Sequence, residues 1–135
     1  MQPRKGSHSV FSIRLHYVFV TKYRRKVINS ELMDTLREAF LRVCLATQCE
    51  LIEFSGEADH VHLLLDVHPD NKISQLASSF KSASSRMVRR KHSDYLSRFY
   101  KGSAFWSGSY YVASSGGAPV ERLKEYIRNH APHRP

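Results

Sequence analysis

The sequence is poor in cysteine, poor in acidic side chains relative to basic ones, and without a long apolar run. Cys44 and Cys49 are its only cysteines in 135 residues, too few for a disulfide framework. Both read as structural thiols. No apolar run approaches the roughly 20 residues that a membrane-crossing helix needs, so no membrane partner is expected. The opening MQPRKGSHS lacks the apolar stretch of a secretory leader, and the expected location is cytoplasmic. Internal repeats and long linkers are missing too, which leaves one domain spanning residues 1–135. The shortage of acids is the most informative. Twelve Asp and Glu face 21 Lys and Arg, for a net charge of +9 and a pI near 9.8. A small basic domain of this kind points to nucleic acid, because clustered cations displace counterions from phosphates.

What is present follows two periods. From Val10 to Thr21, Phe11, Ile13, Leu15, Tyr17 and Phe19 alternate with Ser12, Arg14, His16 and Val18, the pattern of a strand with one core face. The cations Lys22, Arg24, Arg25 and Lys26 follow it. Asn29 or Ser30 caps a helix in which Leu32, Leu36, Phe40 and Val43 recur at helical spacing. Glu50–Gly56 and Ala58–Val67 read as strands, with Gly56 in the turn between them. A second helix is expected from Ile73 to Arg90, its stripe formed by Ile73, Leu76, Phe80, Ala83 and Met87. Lys81, Arg86, Arg89, Arg90 and Lys91 make its far half basic, and six serines fall between Ser74 and Ser85. Ser109–Ser114 is a short last strand. Pro119 suits the first turn of a final helix, VERLKEYIRNH.

The order β-α-β-β-α-β-α predicts an α+β fold of the ferredoxin-like, split βαβ kind. An antiparallel sheet carries helices on one face, and one extra helix follows. The helix-covered face should bear Phe11, Ile13, Leu15, Val61, Leu63 and Leu65. The opposite face should bear His16, His60, His62 and Asp66.

His60 and His62 lie two apart on one strand, so both rings point to the same side. Two close imidazoles resist joint protonation, and a divalent cation binds their neutral forms. Alternatively, both are hydrogen-bonded residues of a half-buried face. On the final helix His130 stands four residues after Tyr126, so the two share a face. That face continues from Leu123 and equally suits a packing tyrosine.

His60-Val61-His62 followed by Leu63-Leu64-Leu65 resembles the His-hydrophobic-His motif of the HUH endonuclease superfamily. Within it, the chain resembles the single-tyrosine transposases of small insertion sequences that move as single-stranded DNA. His16 through Phe19 to Lys22-Tyr23-Arg24, Lys81 through Ser84-Ser85-Arg86, and Trp106 through Ser109-Tyr110 into a helix with Tyr126 match other parts of that pattern. The similarity runs from about Ser9 to His130.

The resemblance implies that His60 and His62 hold Mg²⁺ or Mn²⁺ and that Tyr126 attacks the scissile phosphorus, giving a 5′-phosphotyrosine. The energy stays in that ester, so rejoining needs no nucleotide cofactor. His130 is the third ligand in this reading, where the family commonly has Gln. Imidazole is softer than an amide oxygen and tilts preference toward Mn²⁺, and Asn129 is the fallback. Hairpin-bearing single-stranded DNA and a homodimer are the implied partners, each tyrosine helix completing one site or the other's. Phosphate contacts fall to Lys22, Arg24, Arg25, Lys26, Lys81, Arg86, Arg89 and Arg90. Phe105, Trp106 and Tyr110 either stack on bases or belong to the core. The serines either admit a DNA backbone or pack on protein. His16 is a supporting or DNA-contacting residue, or a plain polar-face one. Two rival functions are a non-catalytic nucleic-acid reader of the same fold and a host-adopted relative that cuts repeated palindromes.

Overall fold

The computed structural model describes residues 3–6, 10–114 and 125–129. A two-residue ribbon comes first, with β1 (Arg4–Lys5) antiparallel to β2 (Val10–Phe11). Then follow β3 (Arg14–Val20), a 3-10 turn (Lys22–Arg24), α1 (Ser30–Thr47), β4 (Glu50–Glu57), β5 (His60–Asp66), α2 (Ile73–Leu96) and β6 (Tyr111–Ser114). Residues 125–128 are helical. The four longer strands form one sheet in the order β4-β5-β3-β6, with every neighbouring pair antiparallel. This is the expected ferredoxin-like arrangement, with β3 and β5 at the centre.

Alternation along β3 and β5 decides what each face does. Leu15, Tyr17 and Phe19 join Val61, Leu63 and Leu65 beneath the helices, and all six are buried. From α1 come Leu32, Leu36, Phe40 and Val43, and from α2 Leu76, Phe80 and Val88. Phe40 stands at the centre, against Phe19, Phe54 and Phe80 at centroid distances of 6.2, 5.5 and 5.7 Å. Burying each such side chain stabilises the fold by about 1.5–3 kcal/mol. Asn29 is the cap of α1, its side-chain oxygen accepting from Leu32 N–H at 2.8 Å. The two cysteines are unpaired and buried, and burial pushes the Cys44 thiol up to about 12.

Several expectations are corrected. The first strand is not continuous from Val10: the chain breaks at Ser12 and Ile13, where Ile13 C=O accepts from Val67 N–H. Ile13 therefore lies 37% exposed, outside the core, and Ile73 is 47% exposed rather than part of the buried stripe. Arg4 fastens the ribbon to the sheet by donating to the buried Asp66 carboxylate at 2.8 Å. Gly56 is in β4 and the turn is at Ala58-Asp59. A Cβ on Gly56 would fall 2.4 Å from His60 O, so the two backbones approach too closely for any side chain there.

The second helix runs six residues past Arg90. It bends at His92, whose φ of −132° is not helical and whose Nε2 lies 2.7 Å from Thr35 Oγ1. Tyr95 thus belongs to α2, and donates to Val27 C=O. The last strand starts at Tyr111, not Ser109. Of the final helix, only its stretch at residues 125–129 can be described; Leu123 and His130 lie outside the described residues.

Candidate active site

The sheet face away from α1 and α2 carries the polar chemistry. Register places Val20, His60 and Glu57 in one row across β3, β5 and β4. The next row holds Tyr111, Val18, His62 and Ser55 across all four strands. His16 follows, paired with Leu64. The His60 and His62 rings meet edge-on at 4.9 Å, and His16 lies 5.4 Å from His62. Burial, reinforced by its two imidazole neighbours, pulls the His62 pKa down to about 4. Burial also lowers that of His16, against the pull of Glu53. The face is built to keep His62 neutral near pH 7, the form that ligates metal.

His60 is held differently. Its Nδ1 lies 2.8 Å from Asp59 Oδ1, and Asp59 Oδ2 accepts from Arg24 Nε at 2.9 Å. Both carboxylate oxygens are thereby engaged. A carboxylate facing Nδ1 places the proton there and leaves the Nε2 lone pair for a cation, the usual support for a ligating imidazole. Ligand atoms of Glu57, Asp59 and His60 also lie within 4.8 Å of one another. Because Asp59 is already committed to Arg24 and His60, we read it as the orienting group and not as a ligand. Two imidazoles on one strand face, His62 kept neutral and His60 oriented by Asp59, fit a divalent cation as a partial donor set. Among the described residues no third imidazole closes it.

Tyr126 stands on the same side of the sheet. Its ring packs on Tyr111 at 5.5 Å, and its phenol oxygen lies 3.1 Å from Ser109 Oγ. Tyr111 is two strands from His62 in the same row, about 10 Å by strand spacing. Burial raises the phenol pKa, while the Ser109 contact lowers it. The phenol is therefore neutral at rest and becomes a nucleophile only where positive charge stabilises its anion.

The basic residues divide. Lys26, Arg86 and Arg90 are exposed. Arg24 is tied to Asp59, and Arg25 donates to Phe99 C=O at 2.6 Å. Lys22 sits over the Tyr23 ring. Lys81 donates to Ser107 C=O at 2.7 Å and is half-buried, with a lowered pKa for that reason. Arg89 keeps Nε and Nη2 buried without a hydrogen-bond partner among the described residues. Phe105 and Trp106 are core residues, 1% and 6% exposed, and Trp106 Nε1 donates to the buried Ser84 hydroxyl. Ser84 is thus a packing serine, whereas Ser74, Ser78, Ser82 and Ser85 border an open groove of about 410 Å³ with Lys81.

Sequence reasoning passed over Asp59 and Ser109. Asp59 directly precedes His60, and strand alternation would send it to the opposite face. The turn at 58–59 turns it back, and no residue-type signal announces that. Arg24 was legible only as one cation among four, since its partner is 35 positions away.

The fold and the paired imidazoles define a member of the HUH superfamily of the single-tyrosine kind. A family model described as "Transposase IS200 like" matches residues 9–130, and the chain belongs to that family. It is similar to the transposase of insertion sequence element IS200 from Salmonella typhimurium, 28% identical over 123 residues, covering 91% of this chain and 80% of the relative. The ISDra2 transposase TnpA of Deinococcus radiodurans is 25% identical over 129 residues, covering 96% and 91%. A crystal structure of a protein assigned as a transposase from Deinococcus radiodurans R1 superposes with a TM-score of 0.87 at 26% identity, covering 96% of this chain and 99% of that one. A REP-associated tyrosine transposase solved with a REP hairpin shares the fold, with a TM-score of 0.57 at 11% identity, over 92% and 68%. No described helix is long and apolar enough to cross a membrane.

Proposed function

We propose that this transposase cleaves and rejoins single-stranded DNA through a covalent link between Tyr126 and a 5′-phosphate. The observation that carries the proposal is the row of rings on one sheet face: His62 kept neutral, His60 fixed by Asp59, and Tyr126 packed on Tyr111 in line with them. His60 and His62 would hold Mg²⁺ or Mn²⁺, with His130 as third ligand and Asn129 as its alternative. Once bound, the cation supplies Lewis-acid polarisation of a nonbridging phosphate oxygen and stabilises the departing 3′-oxygen.

The chain's own groups do the rest. Ser109 holds the Tyr126 hydroxyl until substrate arrives. The phenol gives its proton to solvent and its oxygen bonds to phosphorus; the P–O3′ bond breaks, and the 3′-oxygen leaves with the electron pair and takes a proton from solvent to become a free 3′-hydroxyl. An incoming 3′-hydroxyl reverses the step on the same ester, so no nucleotide cofactor enters. The fold relative bound to a REP hairpin supports hairpin-bearing DNA as the substrate class. One nucleophile per chain supports a homodimer, since exchanging two ends takes two tyrosines. Lys26, Arg86, Arg89 and Arg90 are the proposed phosphate contacts, with Lys22, Arg25 and Lys81 beside them. Arg24 acts through Asp59.

The test mixes protein, Mn²⁺ and hairpin-bearing single-stranded DNA from the flanks of the element, and resolves covalent adducts by denaturing electrophoresis. The wild-type chain forms adducts, and Tyr126→Phe binds the DNA equally well but forms none. Adducts that persist in Tyr126→Phe would sink this assignment, and binding without adducts under any divalent ion would make the protein a reader.

A further inference from the structure

The turn after β3 and the segment after α2 enclose a cleft of about 520 Å³ that the proposed chemistry does not use. Lys22, Arg25, Arg98 and Lys101 line it together with Tyr23 and Phe99, and among the described residues no acidic side chain lines it. Its wall is an unusual piece of backbone. Tyr23 and Arg24 are consecutive non-glycine residues in the left-handed region, with φ of 61° and 53°. Such conformations persist only where the surroundings hold them, and they concentrate at functional sites.

The surroundings here are explicit. Arg24 N–H donates to Thr21 C=O, and Lys22 N–H to Phe105 C=O. Tyr100 Oη donates to Lys22 C=O at 2.7 Å, and Arg25 Nη1 to Phe99 C=O. The result is to present the Tyr23 ring at the surface, 39% exposed, with the Lys22 ammonium 5.1 Å and the Arg25 guanidinium 5.6 Å from its centroid. A surface aromatic ring with two cations over it, one of them held by Phe99 C=O, and two more exposed cations across the cleft suit a base joined to a phosphate. The same turn supplies Arg24 to Asp59, and through it fixes His60. The cleft and the imidazole pair therefore share one rigid support.

We propose that this cleft binds one unpaired nucleotide of the DNA strand, its base against Tyr23 and its phosphate between Arg98 and Lys101. The proposal rests on the single-strand DNA reading given above and adds a site to it. A bound nucleotide here orders the strand on the 22–25 turn, next to the element that positions His60.

The test measures binding of the full chain in EDTA, so that cleavage does not enter. Fluorescence anisotropy compares a DNA hairpin with the same hairpin carrying a single-stranded tail on either side. One tail should tighten binding by about tenfold or more, in line with one stacked base and its phosphate. The double variant Arg98→Glu/Lys101→Glu should lose that gain and keep most of its hairpin affinity. The charge-matched Arg37→Glu/Arg42→Glu on α1 should retain the gain. 2-Aminopurine walked along the tail should show quenching at one position, abolished by Tyr23→Asn, which removes the ring and tolerates the left-handed backbone. A hairpin bound with no gain from either tail overturns the nucleotide site alone. So does equal loss in both charge variants, or quenching unchanged in Tyr23→Asn. No binding of hairpin or tail overturns the site together with the single-strand DNA reading.

Discussion

The two faces of the central sheet are made by the same strands, and they tolerate opposite things. On β5, Val61, Leu63 and Leu65 join the apolar core with Leu15, Tyr17 and Phe19, where the main demand is volume. His60, His62 and Asp66 alternate with them onto a face where polar groups are set against one another: Asp59 against His60, His16 against His62, Arg4 against Asp66. One face stores stability and the other stores geometry. A one-residue slip in register would exchange them and lose both.

Breaking the apolar face should have the largest effect on stability. Leu63→Ala removes a fully buried side chain between the helices and the sheet, and should cost about 2–5 kcal/mol in chemical denaturation. Its residual folded fraction should still bind Mn²⁺ at the opposite face. The intermediate effect comes from the polar face. Asp59→Ala removes the partner of His60 Nδ1 and of Arg24, and should weaken Mn²⁺ affinity by about 10–100-fold by titration calorimetry. Its loss of stability should fall well short of that of Leu63→Ala. Equal melting penalties for the two variants would erase the distinction between the faces.

The smallest effect sharpens it by pH. The His62 pKa falls from 6.5 to about 4 in the folded chain, so the unfolded chain binds the extra proton first. Its contribution is complete above pH 6.5 and is lost as pH falls toward 4. Melting temperature should drop through that window for the wild type, and less steeply for His62→Gln. An identical acid limb in the two proteins would show that the face does not disfavour the charged ring.

Period-two alternation in Arg14–Val20 and His60–Asp66 was enough to place the core face and the shared side of His60 and His62, and the succession of elements pointed to the ferredoxin-like sheet. Helical spacing from Leu32 to Val43 did the same for α1. What stayed hidden depends on backbone path rather than residue type. The break at Ile13, the later turn at Ala58-Asp59 and the extension of α2 past a bend at His92 are set by partners far away in sequence. Trp106 offered an aromatic that suits either a base or a core, and only the Ser84 hydroxyl waiting for its indole N–H decides for the core. Asp59 and the Arg24 contact belong to the same class of hidden feature. The tyrosine at position 126 was legible by type and helix, and its seat on Tyr111 and Ser109 was not.

Gly56 has no functional group, yet it sits back to back with the His60 carbonyl. In a saturation mutagenesis library scored for transposition, this position should look as intolerant as the histidines themselves. A reader of such a map would be tempted to assign it a chemical role, when the lesion is a displaced main chain four residues upstream of the first imidazole.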